Sequence, residues 1–225
     1  MAAPSRAERP RPHGERALIT ADTATPTLSR YFGGSVERPE FDDDATATAW
    51  MESLFEQAAD NGTSLLFDTK GGDELFMRYA RGVDLASTLA GAGVRPVALH
   101  LLGTSEQDVA SLEQFEAGGF TPEAEVLALN AGLILDTRPP EAAFRAVRAH
   151  PAYRRALDRG AVEVVLPRLS CLAELERRGL GFAQAQNNLV PEGEKPVGIM
   201  MRQAIIVWRR RMEEAFAPVA ADWLP

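Results

Sequence analysis

Carboxylate and amide side chains stand where predicted strands end. Asp68 closes a short apolar run and is followed by a turn through Gly71 and Gly72 into a helix, while Asp22 and Asn130 follow two other apolar runs. Strands buried on both faces read as continuous apolar runs, and in open parallel sheets ligands bind in the crevice outside the carboxyl ends. We therefore expect these side chains to face one crevice.

The remaining strand ends carry turn-forming residues, Gly103 with Thr104 and then Pro167. Taken singly, each is an ordinary way to end a strand, because Asp and Asn bond their own backbone and Gly and Pro turn the chain. Taken together, the strand ends outline a crevice of nucleotide size.

Composition limits the classes of function. The 225 residues and 45% hydrophobic content suffice for one core. A net charge of -8 argues against a protein that coats nucleic acid by bulk charge. Cys171 is the single cysteine, so neither an intramolecular disulfide nor a cysteine metal cluster can form. The three histidines, His13, His100 and His150, lack metal-ligand spacing.

The chain start, residues 1–16, is rich in Arg and Pro and has no secretory signal pattern. No segment approaches the roughly 20 apolar residues of a membrane span. We expect a soluble cytoplasmic protein with a disordered leader (1–16), an α/β domain (17–188), a linker (189–198) and a C-terminal helix and tail (199–225).

Short apolar runs alternate with helical patterns through the α/β domain. Such βα alternation predicts a three-layer, doubly wound, mostly parallel sheet, because parallel strands need crossover connections. Strands are predicted at 17–21, 65–67, 96–102, 126–129 and 162–166. Helices are predicted at 45–59, 74–89, from a capping box at Ser105 and Asp108 through 117, from 140 toward 150, and at 199–216.

The last helix has an apolar stripe formed by Ile205, Trp208, Met212 and Phe216. We expect this stripe to pack on the sheet. A role as an interaction arm, or as a helix lying in a membrane interface, stays open.

Four segments resemble the ParA/MinD partition ATPases. Residues 17–34, ALITADTATPTLSRYFGG, resemble the second strand and its loop, with Asp22 as the second acid of Asp-x-Asp and Thr20 in place of the first. Residues 64–74, SLLFDTKGGDE, resemble the Walker B strand. Residues 126–134 and 162–169 resemble the strands that border the nucleobase. Relatives encoded beside plasmid transfer and mobilisation genes look most similar.

The resemblance implies ATP and magnesium as ligands and phosphoryl transfer to water as the reaction. Asp68 would hold Mg²⁺ through water, and Asp22 would orient the attacking water. Gly71 and Gly72 would sense the γ-phosphate.

It further implies that Asn130 reads the nucleobase and that Pro167 lies near it. ATP would clamp a homodimer. Partners would be a plasmid-encoded DNA-binding or relaxase-type protein. Direct contact with nucleic acid stays open, and so does contact with a membrane, which is the less expected partner.

One departure outweighs these matches. The family begins with a central strand and a glycine-rich loop that contains two lysines. In this sequence, neither a Gly-Lys pair nor a further apolar strand precedes residue 17. Lys70 does not replace the loop, because no run of glycines directly precedes it. Either the coding sequence starts further upstream, which we favour, or the relative is degenerate. The sequence predicts an ATPase, truncated or degenerate, that cannot bind ATP tightly. The alternative is a non-catalytic adaptor on the same fold.

Overall fold

The structure is a computed structural model that describes residues 16–20, 36–37, 43–69, 74–135 and 137–224. Within these ranges the strands are β1 (Arg16–Thr20), β2 (Val36–Glu37), β3 (Ser64–Asp68), β4 (Val97–Leu102), β5 (Ala124–Asn130) and β6 (Val162–Leu166). All five predicted strands are present. The two-residue β2 was not predicted, because so short a run carries no periodicity.

The described strands form two three-stranded parallel sheets, ordered β2-β1-β3 and β4-β5-β6. The α/β class with parallel pairing is confirmed. A single sheet was expected, but no hydrogen-bonded pairing joins β3 to β4 among the described residues.

The helices follow the strands in an alternating order. They are α1 (Asp44–Asn61), α2 (Glu74–Gly82), α3 (Leu85–Gly91), α4 (Ala110–Gly118), α5 (Pro140–Ala143), α6 (Arg145–Ala149), α7 (Pro151–Asp158), α8 (Leu172–Arg177), α9 (Phe182–Gln186) and α10 (Ile199–Phe216). The Asp43 side chain accepts the Thr46 N–H and caps α1. The bounds of α10 match the prediction.

The prediction of one helix over residues 74–89 was wrong. The chain leaves α2 at Gly82 and begins α3 at Leu85, with Asp84 at φ 45° in the left-handed region. Asp is one of the few residues that visit this region as a single turn. The helix that was predicted from residue 140 toward residue 150 is likewise interrupted, at Phe144, between α5 and α6.

One face of the second sheet is covered by α4, α6 and α7. Leu127 and Leu129 of β5 are fully buried there in a cluster with Phe144, Val147 and Tyr153. On the opposite face, Val126 and Val164 pack against the end of α10 and the residues that follow it. The core of the second sheet is therefore built on both of its faces.

An aromatic cluster joins the two sheets. The ring of Phe67, on β3, lies 5.7 Å from that of Phe76 on α2. Phe76 belongs to the same buried cluster as Ala98 on β4 and Phe120. The sheets thus share a core although their strands do not pair.

The opposite side of the junction is bare. On β4, Leu99 and Leu101 alternate with buried residues, and on β3 Leu66 alternates with Phe67, so the three leucines share the face away from the aromatic cluster. Leu66 is 42% exposed, Leu99 42% and Leu101 64%. Among the described strands β3 pairs only with β1, and β4 only with β5. Within the described ranges, the junction therefore has two unpaired strand edges beside an apolar surface.

Candidate functional site

The strand ends of the second sheet come together at one edge. The register pairs Leu102 with Leu129 and Asn130 with Leu166, so Gly103, Asn130 and Pro167 all follow strands at the carboxyl edge. The structure thus brings together the two candidate residues that the sequence placed on β5 and after β6.

The candidates of the first sheet are only partly described. Asp68 ends β3, where it pairs with Thr20 of β1, and is half-buried. Asp22, Gly71 and Gly72 lie outside the described residues. No strand pairing links the edge that carries Asp68 to the edge that carries Asn130.

Asn130 has a fixed orientation. Its Oδ1 accepts the backbone N–H of Gly132 over 2.9 Å and caps the single 3₁₀ turn Ala131–Leu133. Because that backbone group can only donate, the carbonyl oxygen of the amide must face it. The two N–H groups of Nδ2 are then the donors that Asn130 can offer to a ligand. They suit an acceptor such as a ring nitrogen of a nucleobase.

Position 132 lies so close to the Asn130 side chain that it requires a glycine. A Cβ at position 132 would lie 2.9 Å from Asn130 Oδ1. That separation is closer than side-chain carbons tolerate, so a larger residue would break the cap. The glycine at position 132 therefore allows Asn130 to cap the turn, a role that the sequence analysis did not predict.

A cleft of about 390 Å³ opens at this edge, and its lining begins at Ala131, the residue after Asn130, without including Asn130 itself. Its volume falls in the range of small-molecule sites. The lining residues are apolar or cationic: Ala131, Ile134, Arg138, Pro140, Val165, Pro167 and Arg168. The composition suits a flat apolar ring with an electronegative edge.

The two arginines of the cleft were not singled out from the sequence. The guanidinium of Arg168 donates to the Ile134 carbonyl over 3.4 Å and spans the cleft wall. Arg138 lies at the same wall. A Pro-Arg pair directly after a strand was the available signal, but only the fold shows that Arg168 meets the segment after β5.

Pro167 links the cleft to the last helix. Its carbonyl oxygen accepts the indole N–H of Trp208, and the Trp208 ring packs on Phe182 with 5.0 Å between centroids. The predicted packing of the α10 stripe is confirmed: Ile205 is fully buried, and Trp208, Met212 and Phe216 are half-buried.

The turn after β4 also depends on a glycine. Asp108 accepts hydrogen bonds from the backbone N–H and the hydroxyl of Ser105, both over 2.9 Å. The predicted capping box is therefore present, although it opens the 3₁₀ turn Glu106–Val109 before α4 begins. A Cβ at Gly103 would approach Asp108 Oδ2 to 2.5 Å.

Two ion-pair networks lie at the other end of the strands, one half-buried around Glu163 and one around the buried Glu125. Glu163, the second residue of β6, accepts two hydrogen bonds from Arg148 and one from the hydroxyl of Tyr153. Burial acts to raise the pKa of Glu163, but these hydrogen bonds outweigh it and leave the pKa below its ordinary value. The network stays charged and anchors α6 and α7 to the sheet.

The second network surrounds Glu125, which is bound in bidentate fashion by Arg159. His100 of β4 is buried beside this network, but its Nε2 has no hydrogen-bond partner among the described residues, and the Glu125 carboxylate lies 3.8 Å away. Its ring instead packs edge-on against Phe115.

Other reactive groups are less suited to chemistry. Burial raises the pKa of the Cys171 thiol, so the nucleophilic thiolate is disfavoured, as expected of a quiet cysteine. No group of three or more His, Cys, Asp or Glu residues in the described part of the chain could hold a metal ion. No helix within that part is long and apolar enough to cross a bilayer.

Comparison with protein-family models, with curated proteins and with solved structures finds no match to this chain.

Proposed function

We propose that the chain is a nucleotide-binding protein of the ParA/MinD type, in which Asn130 and Pro167 form the base side of an adenine nucleotide site. The observation that carries the proposal is their meeting at one sheet edge beside an apolar cleft of nucleobase size. A ring lying on Pro167 and Val165 would leave its nitrogen acceptors for Asn130 Nδ2.

The divided sheet supports the same proposal. The family resemblance implies a central first strand, followed by the loop that holds the phosphates. Among the described strands, β3 and β4 each have one unpaired edge, with Leu66, Leu99 and Leu101 exposed beside them. A strand placed between β3 and β4 would pair with both edges and extend the apolar face that the leucines form.

The described residues supply one of the oxygen-bearing groups that a Mg²⁺ site needs. Hard divalent cations prefer oxygen ligands, and Asp68 offers a half-buried carboxylate at a strand end. The family resemblance implies that Asp68 would contact the ion through water. When bound, the ion would neutralise charge on the phosphates. Asp22 and Asp68 are the proposed catalytic residues, with ATP hydrolysis as the reaction and a homodimer as the active form.

The sequence in hand lacks the glycine amides and lysines that hold phosphates. The chain should therefore bind adenosine and ATP with similar, weak affinity, at a Kd of about 1 mM or about -4 kcal/mol. Ligand-observed NMR measures both affinities and can include guanosine as a base control. Micromolar ATP binding by this chain, or no adenosine binding at all, contradicts the proposal.

The Asn130→Asp variant tests the base contact sharply. Aspartate keeps the oxygen that caps Gly132 but removes both Nδ2 donors, so the turn survives and the base contact is lost. Adenosine is the right probe, because it is uncharged and is not repelled by the new carboxylate. Asn187→Asp, an exposed amide on the segment after α9, is the matched control and should leave binding unchanged.

A gain-of-function experiment tests whether adding the family's first strand and phosphate-binding loop restores ATP binding. A strand and glycine- and lysine-rich loop from a ParA/MinD relative, fused in place of residues 1–15, should confer magnesium-dependent ATP binding. The Asp68→Ala change in that chimera should abolish turnover and leave the fold intact. A folded chimera that does not bind ATP would favour the second candidate, a non-catalytic adaptor. In that case the unpaired edges of β3 and β4, with the exposed leucines beside them, would pair with a strand of a partner protein.

A further inference from the structure

A second cleft runs beside α10, away from the proposed base site. It has a volume of about 280 Å³ and lies between α10 and the segment after β6, with Leu169 on the far wall. The α10 side of the cleft is formed by Met200, Ala204, Val207 and Arg211, which recur at helical spacing. At a rise of 1.5 Å per residue the stripe is about 16 Å long, or three helical turns.

This stripe differs from the stripe that holds α10 to the core. Ile205 is fully buried, whereas Met200 is 78% exposed. The floor of the cleft is rigid, because Trp208 is held by Pro167 and Phe182. Ala204 leaves room for close approach, and Met200 at the open end can adapt its shape to a partner.

The charge at the end of the cleft indicates the partner's chemistry. Arg210 pairs with Glu214 and Arg209 donates to Gln186, but Arg211 forms no ion pair with the described residues. The chain as a whole carries a net charge of -8. The exposed Arg211 cation at the end of the apolar groove favours an occupant that places a carboxylate there, whereas the net charge gives no attraction for an acidic protein as a whole.

We infer that this groove binds an amphipathic helix of a partner protein, with an apolar side chain against Met200, Ala204 and Val207 and a carboxylate on Arg211. A helix fits because the exposed feature is a straight stripe of side chains along α10, which is the geometry of helix-in-groove recognition. A second copy fits less well, since it would bring another arginine-rich α10 to the same place. This inference does not depend on nucleotide binding.

The probe is a fluorescein-labelled 16-residue synthetic peptide with leucines at positions i, i+3, i+4 and i+7 and glutamates on its flanks. A peptide of the same composition in scrambled order is the control. Fluorescence anisotropy with the full chain, without nucleotide, should show saturable binding of the patterned peptide with a Kd of about 10 to 100 μM, and at least tenfold weaker binding of the scrambled one.

Matched variants locate the site. Met200→Asp should weaken binding at least tenfold, whereas Ile199→Asp, at a neighbouring residue that is 72% exposed and outside the groove, should not. Arg211→Glu should act like Met200→Asp, and Arg210→Glu should have a much smaller effect. These side chains are exposed, so the variants should fold as the wild type does, which circular dichroism checks.

Several results would overturn the inference. One is equal binding of the two peptides, and another is equal loss in Met200→Asp and Ile199→Asp. A third is preferential binding to vesicles of phosphatidylserine and phosphatidylcholine, which would make the groove a membrane contact. A concentration-dependent dimer that Met200→Asp dissociates, detected by light scattering, would make it a contact between copies. Absence of binding to either peptide also overturns it.

Discussion

The indole nitrogen of Trp208 donates a hydrogen bond to the carbonyl oxygen of Pro167 over 2.8 Å. This contact joins the last helix to the residue that borders the proposed base site. It also places Trp208 between two clefts, with Pro167 on one side and the α10 groove on the other.

Replacing Trp208 by Phe should cost about 1 to 3 kcal/mol of unfolding free energy, because one partly buried hydrogen bond is lost and the smaller phenyl ring gives up part of the indole's packing. Urea denaturation followed by circular dichroism measures the change. Trp223→Phe is the matched control, since Trp223 is also half-buried, and it should cost less than about 0.5 kcal/mol. Equal losses in the two variants would argue against the Pro167 contact.

Glu163→Gln should destabilise the protein by about 1 to 3 kcal/mol at neutral pH, because Arg148 and Tyr153 lose their charged acceptor. The folded-state pKa of Glu163 lies below its ordinary value of 4.5. Its stabilising contribution is therefore complete above pH 4.5 and is lost as pH falls through the folded-state pKa.

The difference in unfolding free energy between wild type and Glu163→Gln should accordingly shrink below about pH 4.5. Urea titrations from pH 7 to pH 3 measure it. Glu123→Gln, at an exposed position before β5, provides the reference. A difference that stays constant down to pH 3 is incompatible with a charged Glu163 network.

Gly103→Ala should destabilise the protein by about 1 to 2 kcal/mol, because the new Cβ displaces the Asp108 carboxylate from its two hydrogen bonds to Ser105. Gly91→Ala is the control, since nothing lies within 4 Å of its Cβ position. That helical site should gain up to about 1 kcal/mol. Thermal unfolding compares both, and a neutral Gly103→Ala would show that Asp108 is free to move.

Asp84→Gly should stabilise the protein by about 0.5 kcal/mol, since glycine adopts the left-handed backbone of this position without strain. The Asp84 side chain makes no capping hydrogen bond that would be lost. Asp84→Ala should instead cost about 1 kcal/mol. Chemical denaturation of the two variants should give opposite signs, and a loss in both would indicate another role for the carboxylate.

The strands were predictable because each combines an apolar run with a polar or turn-forming end. Val126 to Leu129, for example, form an unbroken apolar segment before Asn130, and this segment is buried on both faces. The start of α1 was predictable from the acidic run that supplies its cap, and α10 from the spacing of Ile205, Trp208 and Met212.

Features that depend on distant residues could not be predicted in this way. The helix break before Asp84 is a different case, because Gly82 at the end of α2 is a local stop signal that the prediction of one continuous helix overlooked. Arg168 and Ile134 are 34 positions apart and meet only after β5 and β6 pair. The same holds for Glu163, whose partners Arg148 and Tyr153 lie on two different helices.

The leucines on the bare side of the two sheets have a consequence for the lifetime of the protein. Quality-control chaperones and proteases recognise exposed apolar surface, so a newly made chain should be cleared until another segment or partner covers Leu101. Pulse-chase labelling should show slower clearance of Leu101→Thr than of wild type. The amount of this protein in a cell would then follow the supply of the covering segment as closely as it follows its own synthesis.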